Sequence, residues 1–136
     1  MTIEHLREDE ISAAIALWHA AGLAHPWNDS ERDIVLALGC PTATILAAHD
    51  GDGRLIGTVM AGFDGHRGWL YSLAVDESQR GRGVGAALVG EAEAWLAAHG
   101  APVIRLMVRA DNERVSGFYE SIGYERGEFL VFGKRL

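Results

Sequence analysis

The stretch with the clearest capacity for chemistry is Arg80-Gly81-Arg82-Gly83-Val84-Gly85-Ala86, set between an apolar run ending at Val75 and a long amphipathic segment. The first N–H groups of a helix have no partner within it, and the helix dipole puts partial positive charge at the same end. Glycines at alternate positions, Gly81, Gly83 and Gly85, carry no Cβ, so a ligand can approach the main chain. That combination suits a diphosphate, whose oxygens accept several N–H bonds at once. Three readings compete. One is a glycine-rich turn that merely starts a helix. A second is a dinucleotide fold, because Gly81, Gly83 and Ala86 match G-x-G-x-x-G/A. That fingerprint follows its strand almost directly and opens the first strand–helix–strand unit, whereas Gly81 stands six positions beyond Val75 and a meander precedes it. A P-loop is excluded, since no Gly-Lys-Ser or Gly-Lys-Thr occurs. The third reading is a cradle for the pyrophosphate of coenzyme A.

Other reactive side chains are scattered. His19 and His99 read as helix-surface residues, and His5, His25 and His49 lack partners at ligand spacing, so no metal is expected. Cys40 is the single cysteine; it cannot form an internal disulfide, has no neighbouring His and reads as structural.

The elements that must position the loop alternate along the chain. Ile3 to Leu6 reads as a strand, and Ile11, Ala14, Ile15 and Trp18 follow helical spacing up to a stop at Gly22. His25 to Ser30 is a loop with capping types Asn28, Asp29 and Ser30, leading to a helix with Ile34, Val35 and Leu38 on one face. Thr44–His49, Leu55–Phe63 and Trp69–Val75 are strands joined by the turns at residues 50–53 and 64–68, an antiparallel meander. The helix after the loop carries Val84, Leu88, Ala92, Trp95 and Leu96 as its stripe and ends at Gly100. Val103–Val108 is a strand, Asn112–Ile122 a helix capped by Gly123, and Tyr124–Arg135 a last strand or hairpin. The prediction is a mixed α/β sheet in one domain spanning residues 1–136.

Composition agrees with an ordinary globular chain, 49% hydrophobic and 23% charged. The net charge of −7 argues against nucleic acid as a general partner and mildly favours a cationic substrate. No run is long enough for a membrane span and the N-terminus lacks the layout of a secretion signal, so a cytoplasmic protein is expected.

Arg80-x-x-Gly83-x-Gly85 resembles the R/Q-x-x-G-x-G/A motif of the GNAT superfamily of N-acetyltransferases. The strand ending Leu73-Ala74-Val75, the helix to Gly100, and the block Asp111-Asn112 through Gly117-Phe118-Tyr119 to Gly123-Tyr124-Glu125 fall in the family's order and spacing. Residues 58–136 and Pro26-Trp27-Asn28-Asp29 look closest to its small bacterial YpeA-type branch. The resemblance implies the acyl-CoA N-acyltransferase fold, a mostly antiparallel central sheet flanked by helices, with acetyl-CoA as acetyl donor. It also implies a small-molecule or peptide amine acceptor, no nucleic-acid or membrane partner, and a homodimer as a common assembly of such folds.

By the same resemblance, the exposed backbone of Leu73, Ala74 and Val75 pairs with the pantetheine arm, and a backbone N–H of that strand supports the oxyanion. The N–H groups of Arg80, Gly81, Arg82, Gly83, Val84 and Gly85 hold the pyrophosphate, and Asn112 contacts the pantetheine while also suiting a helix cap. Tyr119 matches the tyrosine that hydrogen-bonds the coenzyme sulfur and protonates the departing thiolate; packing in the core is the competing role. Trp27, Asn28 and Asp29 fall where the family builds part of its acceptor pocket, although Trp27 equally suits a staple onto the second helix.

One departure stands out. Many family members carry Glu or His on the strand before the loop, where this chain has Trp69, Leu70, Tyr71, Ser72 and Leu73. An amine of pKa near ~10.4 must lose a proton before attack. Asp64 and His66 in the preceding turn, Asp29 and Asp33 are the substitutes on offer, each with a plainer role in a turn, a cap or a solvated face. Two functions remain open at this point: direct acetyl transfer to an amine in a ternary complex, and a non-catalytic acetyl-CoA-binding sensor.

Overall fold

The computed structural model describes residues 1–136. In chain order its elements are β1 (Thr2–His5), α1 (Ile11–Ala20), α2 (Ser30–Leu38), β2 (Ala43–His49), β3 (Leu55–Phe63), β4 (Gly68–Val75), α3 (Val84–Ala98), β5 (Ile104–Leu106) and α4 (Glu113–Ser121). The strands lie in the order β1-β2-β3-β4-β5, antiparallel throughout except for the parallel pair β4–β5. Local chemistry sets the joints. The Asp50 carboxylate accepts the N–H groups of Asp52 and Arg54 at 2.9 Å each and closes the β2–β3 hairpin. Asp29 and Asn112 accept N–H bonds from Arg32 and Val115 at 3.1 and 3.2 Å, capping α2 and α4.

The sheet has a core on each face. One holds Val59, Leu70, Val84, Leu88, Val89, Ala92 and Leu96 under α3, with Tyr119 from α4. The other holds Ala14, Leu17, Trp18, Ile34, Ala37 and Ile45 under α1 and α2. Because β2 and β3 are covered on both faces, they read as continuous apolar runs instead of alternating ones. A Cβ added at Gly57 of β3 would lie 2.8 Å from Leu88 Cδ1 and 3.2 Å from the Ala74 carbonyl, so α3 packs directly on bare backbone. Gly57→Ala is expected to cost about 1–3 kcal/mol by overpacking. Thermal unfolding should show a midpoint lowered by roughly 3–10 °C; an unchanged midpoint would mean the helix yields freely there.

Several expectations need correction. Residues 124–135 form neither strand nor hairpin. A strand needs a free edge and a face to bury, and here Phe129, Leu130, Val131 and Phe132 all stay exposed. The segment is tethered by side chains instead: Arg126 pairs with Glu113 and Glu120, Arg105 lies 4.6 Å over the Phe129 ring, and Arg135 donates to the Trp27 carbonyl at 2.7 Å. β5 keeps three residues of the expected six, because β4 offers it only Gly68, Trp69 and Leu70 as partners. On α2 the buried face is Ile34 and Ala37, and Val35 points to solvent. In α3, Val89 is buried where Trp95 is only partly so.

Candidate active site

The strand leading to the glycine loop changes phase partway along. β3 and β4 hold one register from Phe63↔Gly68 to Met60↔Tyr71, then another from Thr58↔Ala74 to Gly57↔Val75. Across the break β3 advances two residues (Met60 to Thr58) and β4 three (Tyr71 to Ala74), which is a β-bulge. Ser72 has φ 52, the one non-glycine residue with left-handed backbone. The extra residue swaps the faces of the strand: Leu70 packs in the core under α3, but Ala74 packs in the core under α1 and α2. Main-chain groups follow. The Gly68 N–H bonds Val103, just before β5, while the Asp76 N–H bonds Ile56 of β3, both at 2.8 Å. By the alternation of a strand, Leu73 and Val75 then aim their N–H and C=O groups away from β3. They face the edge that β5 has left after Leu70. An open seam results.

The loop lies at the end of that seam. Gly81 and Gly83 have φ 76 and 83, and a side chain at either would meet nothing within 4 Å. Their bareness therefore serves the backbone turn and whatever approaches from outside. From Gly81 through Ala86 no N–H group has an acceptor in the chain; the next one claimed is Ala87, bonded to the Gly83 carbonyl at 3.0 Å, and the Arg80 N–H, expected in the cradle, is instead taken by the Glu77 carbonyl at 3.3 Å. Gly85 differs from the reading above. A Cβ there would stand 3.3 Å from Phe118 Cζ, so its bareness admits the Phe118 ring of α4.

Leu73, Ala74, Val75, Arg80, Gly81, Gly83, Val84, Gly85 and Asn112 all line one cleft of about 310 Å³, together with Ala21, Leu23, Arg114, Val115 and Phe118. Arg82 is exposed and lies outside that lining. Neither Arg80 nor Arg114 has an acidic partner within ion-pair distance, so two unpaired arginines line the same cleft as the glycine loop. Arg114 went unnoticed in the sequence; its signal is its place two positions after the helix cap Asn112, in the first turn of α4.

Tyr119 lies one residue behind the cleft wall. It is buried, packs edge-on against Phe118 and Tyr124 at centroid distances of 5.1 and 5.5 Å, and does not line the cleft. Burial alone, with no hydrogen bond contributing, pushes its pKa up to about 12. Core packing and a protonated, unclaimed phenol therefore coexist in one residue.

The base substitutes are placed elsewhere. The Asp64 carboxylate accepts N–H groups from Arg67 at 2.7 Å, His66 at 2.8 Å and the Trp69 indole at 3.3 Å. The Arg67 and then the His66 main-chain bonds hold its pKa below the usual range, which suits a turn cap and weakens it as a base. Asp29 caps α2 and, with Asn28, His19, His25 and Glu31, lines a separate open hollow of about 600 Å³. Trp27 stacks on His25 with ring centroids 4.4 Å apart instead of stapling to α2. His49 is buried against the Glu10 carboxylate, and His5 bonds the Thr44 hydroxyl at 2.6 Å, both partners 39 positions away in the chain. Cys40 is exposed and free. No group of three or more His, Cys, Asp or Glu side chains is arranged to hold a metal ion.

A split parallel pair beside a helix head with free N–H groups is a place for an anionic ligand with an extended arm, and comparison with known proteins identifies the class. The model of the acetyltransferase (GNAT) family matches residues 4–124, and the chain belongs to that family. It is 44% identical over 136 residues to acetyltransferase ECA0875 of Pectobacterium atrosepticum, covering 100% of this chain and 96% of that one. An apo aminoglycoside 6'-N-acetyltransferase of Acinetobacter haemolyticus shares the fold with TM-score 0.83 at 21% identity, covering 100% of this chain and 99% of that one. AAC(6')-Iy, in complex with a bisubstrate analogue joining CoA to acetylneamine, superposes with TM-score 0.83 at 19% identity, over 99% and 97% of the two chains. The protein is thus an N-acetyltransferase of the GNAT type. The residues present fit its acyl donor, because the unclaimed N–H row, the unpaired arginines and the open seam offer complements to a diphosphate and an amide-bearing arm.

Proposed function

We propose that the protein transfers an acetyl group from acetyl-CoA to a primary amine by direct attack in a ternary complex. The observation that carries this reading is the row of free N–H groups from Gly81 through Ala86, set in line with the open edge of β4. The free N–H groups of residues 81–86 and the Arg80 and Arg114 guanidinium groups bind the pyrophosphate, while Leu73 and Val75 offer N–H and C=O groups to the pantetheine arm. Acetyl-CoA supplies an activated acyl group on a good leaving thiol. The Leu73 N–H, turned outward by the bulge, is the donor for the acyl oxygen as charge builds on it. Tyr119, one residue behind the Phe118 wall of the cleft, returns a proton to the departing thiolate where the sulfur end of the arm passes that wall; its phenol stays protonated at every physiological pH. No carboxylate or imidazole lines the coenzyme cleft, and His19, His25, Asp29 and Glu31 stand in the separate hollow outside it, so at the thioester the amine gives up its proton through water or through desolvation.

The acceptor side lies toward the α1–α2 loop, where Trp27, Asn28 and Asp29 stand and Arg135 ties the C-terminal segment down. A small-molecule amine is the favoured class, in keeping with the aminoglycoside acetyltransferases that share the fold. All of residues 1–136 serve this one catalytic unit, acting in the cytoplasm. No helix is long and apolar enough to cross a membrane. Thiol release measured over a panel of small amines and N-terminal peptides tests the reading. Turnover with at least one amine, dependent on acetyl-CoA, is the expected result; tight acetyl-CoA binding without turnover on any acceptor would replace it with a sensing role.

A further inference from the structure

Ser72 holds an unfavourable left-handed backbone without being glycine, and something must keep it there. Behind it lies a buried chain of polar groups. The Trp18 indole N–H of α1 donates to Thr58 Oγ1 of β3 at 2.9 Å, and the Thr58 hydroxyl donates to the Ser72 carbonyl at 3.4 Å. Trp18 is 3% exposed and Thr58 is fully buried, so neither has water as an alternative partner. The direction is forced. An indole N–H can only donate, so Thr58 Oγ1 must accept from it, and its own proton is then free for the bulge carbonyl. The 3.4 Å contact is long for an O–H···O bond, so it steers the carbonyl more than it clamps it. Thr58 also lies at the register break itself, paired with Ala74 just past the bulge.

Resting on the reading given under Proposed function, we infer that Trp18 and Thr58 are positioning residues for the acyl-transfer step: their relay fixes the Ser72 bulge and thereby the outward aim of the Leu73 N–H. A hydroxyl of no direct contact with the cleft then controls a main-chain donor inside it. The pair touches neither the glycine loop nor its free N–H groups, so coenzyme affinity and donor placement are separable.

The test uses the whole chain, ¹⁵N-labelled and titrated with acetyl-CoA, alongside turnover with an amine that the panel shows to be accepted. In the wild type, the amides from Gly81 through Ala86 and that of Leu73 should shift. Thr58→Val keeps the shape and removes the hydroxyl. Its Kd for acetyl-CoA and its loop shifts should stay within about two-fold, while the Leu73 response falls by about half or more and kcat drops about ten-fold or more. Thr58→Ser should restore both. If Thr58→Val does not give a folded spectrum, Trp18→Phe, which removes the first donor and keeps the ring, carries the test with the same expectations. A full Leu73 response with unchanged kcat overturns the inference, as do a parallel loss of affinity and kcat, failure of Ser to restore, or unfolding of both variants, which would make the pair purely structural. Absence of any loop shift in the wild type is a different failure: it precedes every substitution, sinks the coenzyme reading, and takes the positioning role with it.

Discussion

Tyr119→Phe is expected to lower kcat about 10²-fold while acetyl-CoA affinity stays within about two-fold. The packing of Tyr119 against Phe118 and Tyr124 uses its ring, which phenylalanine reproduces. Its hydroxyl bonds to nothing in the chain, so removing it breaks no internal hydrogen bond, and stability should change by no more than about 0.5 kcal/mol. A purely structural tyrosine would therefore be nearly silent to this substitution. A proton donor would not. Steady-state kinetics with saturating amine, paired with a thermal melt, separates the two. Burial alone holds the pKa near about 12, so the alkaline loss of activity due to this group should fall above the ordinary tyrosine range. The acidic form is the active one, and raising its pKa extends activity upward in pH. Unchanged kcat in the Phe variant would return Tyr119 to the core and leave the thiolate to be protonated by solvent.

The second large effect is at the head of α3. Gly83→Val should weaken acetyl-CoA binding about 10- to 100-fold, read by calorimetric titration. Gly83 occupies φ 83, and a β-branched residue there is strained by about 1–2 kcal/mol even though nothing in the fold obstructs its Cβ. The variant either pays that strain or moves the N–H groups that follow. In both cases the side chain also stands in the open space from which the proposed pyrophosphate approaches. Gly90→Ala is the matched control: Gly90 sits inside α3 with open space around its Cβ position, so alanine should raise helix stability by about 0.5–1 kcal/mol and leave binding untouched. Affinity surviving Gly83→Val would place the cradle elsewhere.

How much of this could be read without coordinates depends on how local each cause is. The hairpin at Asp50, the caps Asp29 and Asn112, and the free N–H groups at the start of α3 arise from residues within a few positions of one another. Side-chain oxygens reach backbone N–H groups two or three residues on whatever the rest of the chain does, so such features are legible in a linear text. The loop and the helix behind it belong to the same class, and so does the order of strands in the meander.

Features with causes on two distant strands were invisible. The bulge at Ser72 exists because β3 and β4 are matched in two different registers, and no single strand carries that information. Its effect, sending Leu70 and Ala74 to opposite cores, runs against the simple alternation that a strand suggests. Gly85 looked like part of the ligand approach until Phe118, thirty-three positions later (85 to 118), filled the space beside it. The last segment had the apolar composition of a strand, but Phe129 to Phe132 pair with no strand and enter no core. Which of Phe118 and Tyr119 would face the cleft was likewise settled by how α4 docks on α3, a matter of helix packing that sequence periodicity leaves free. Short-range hydrogen bonding wrote the free N–H groups at the head of α3 into the sequence, while strand pairing and helix docking across the sheet placed the Ser72 bulge and Tyr119.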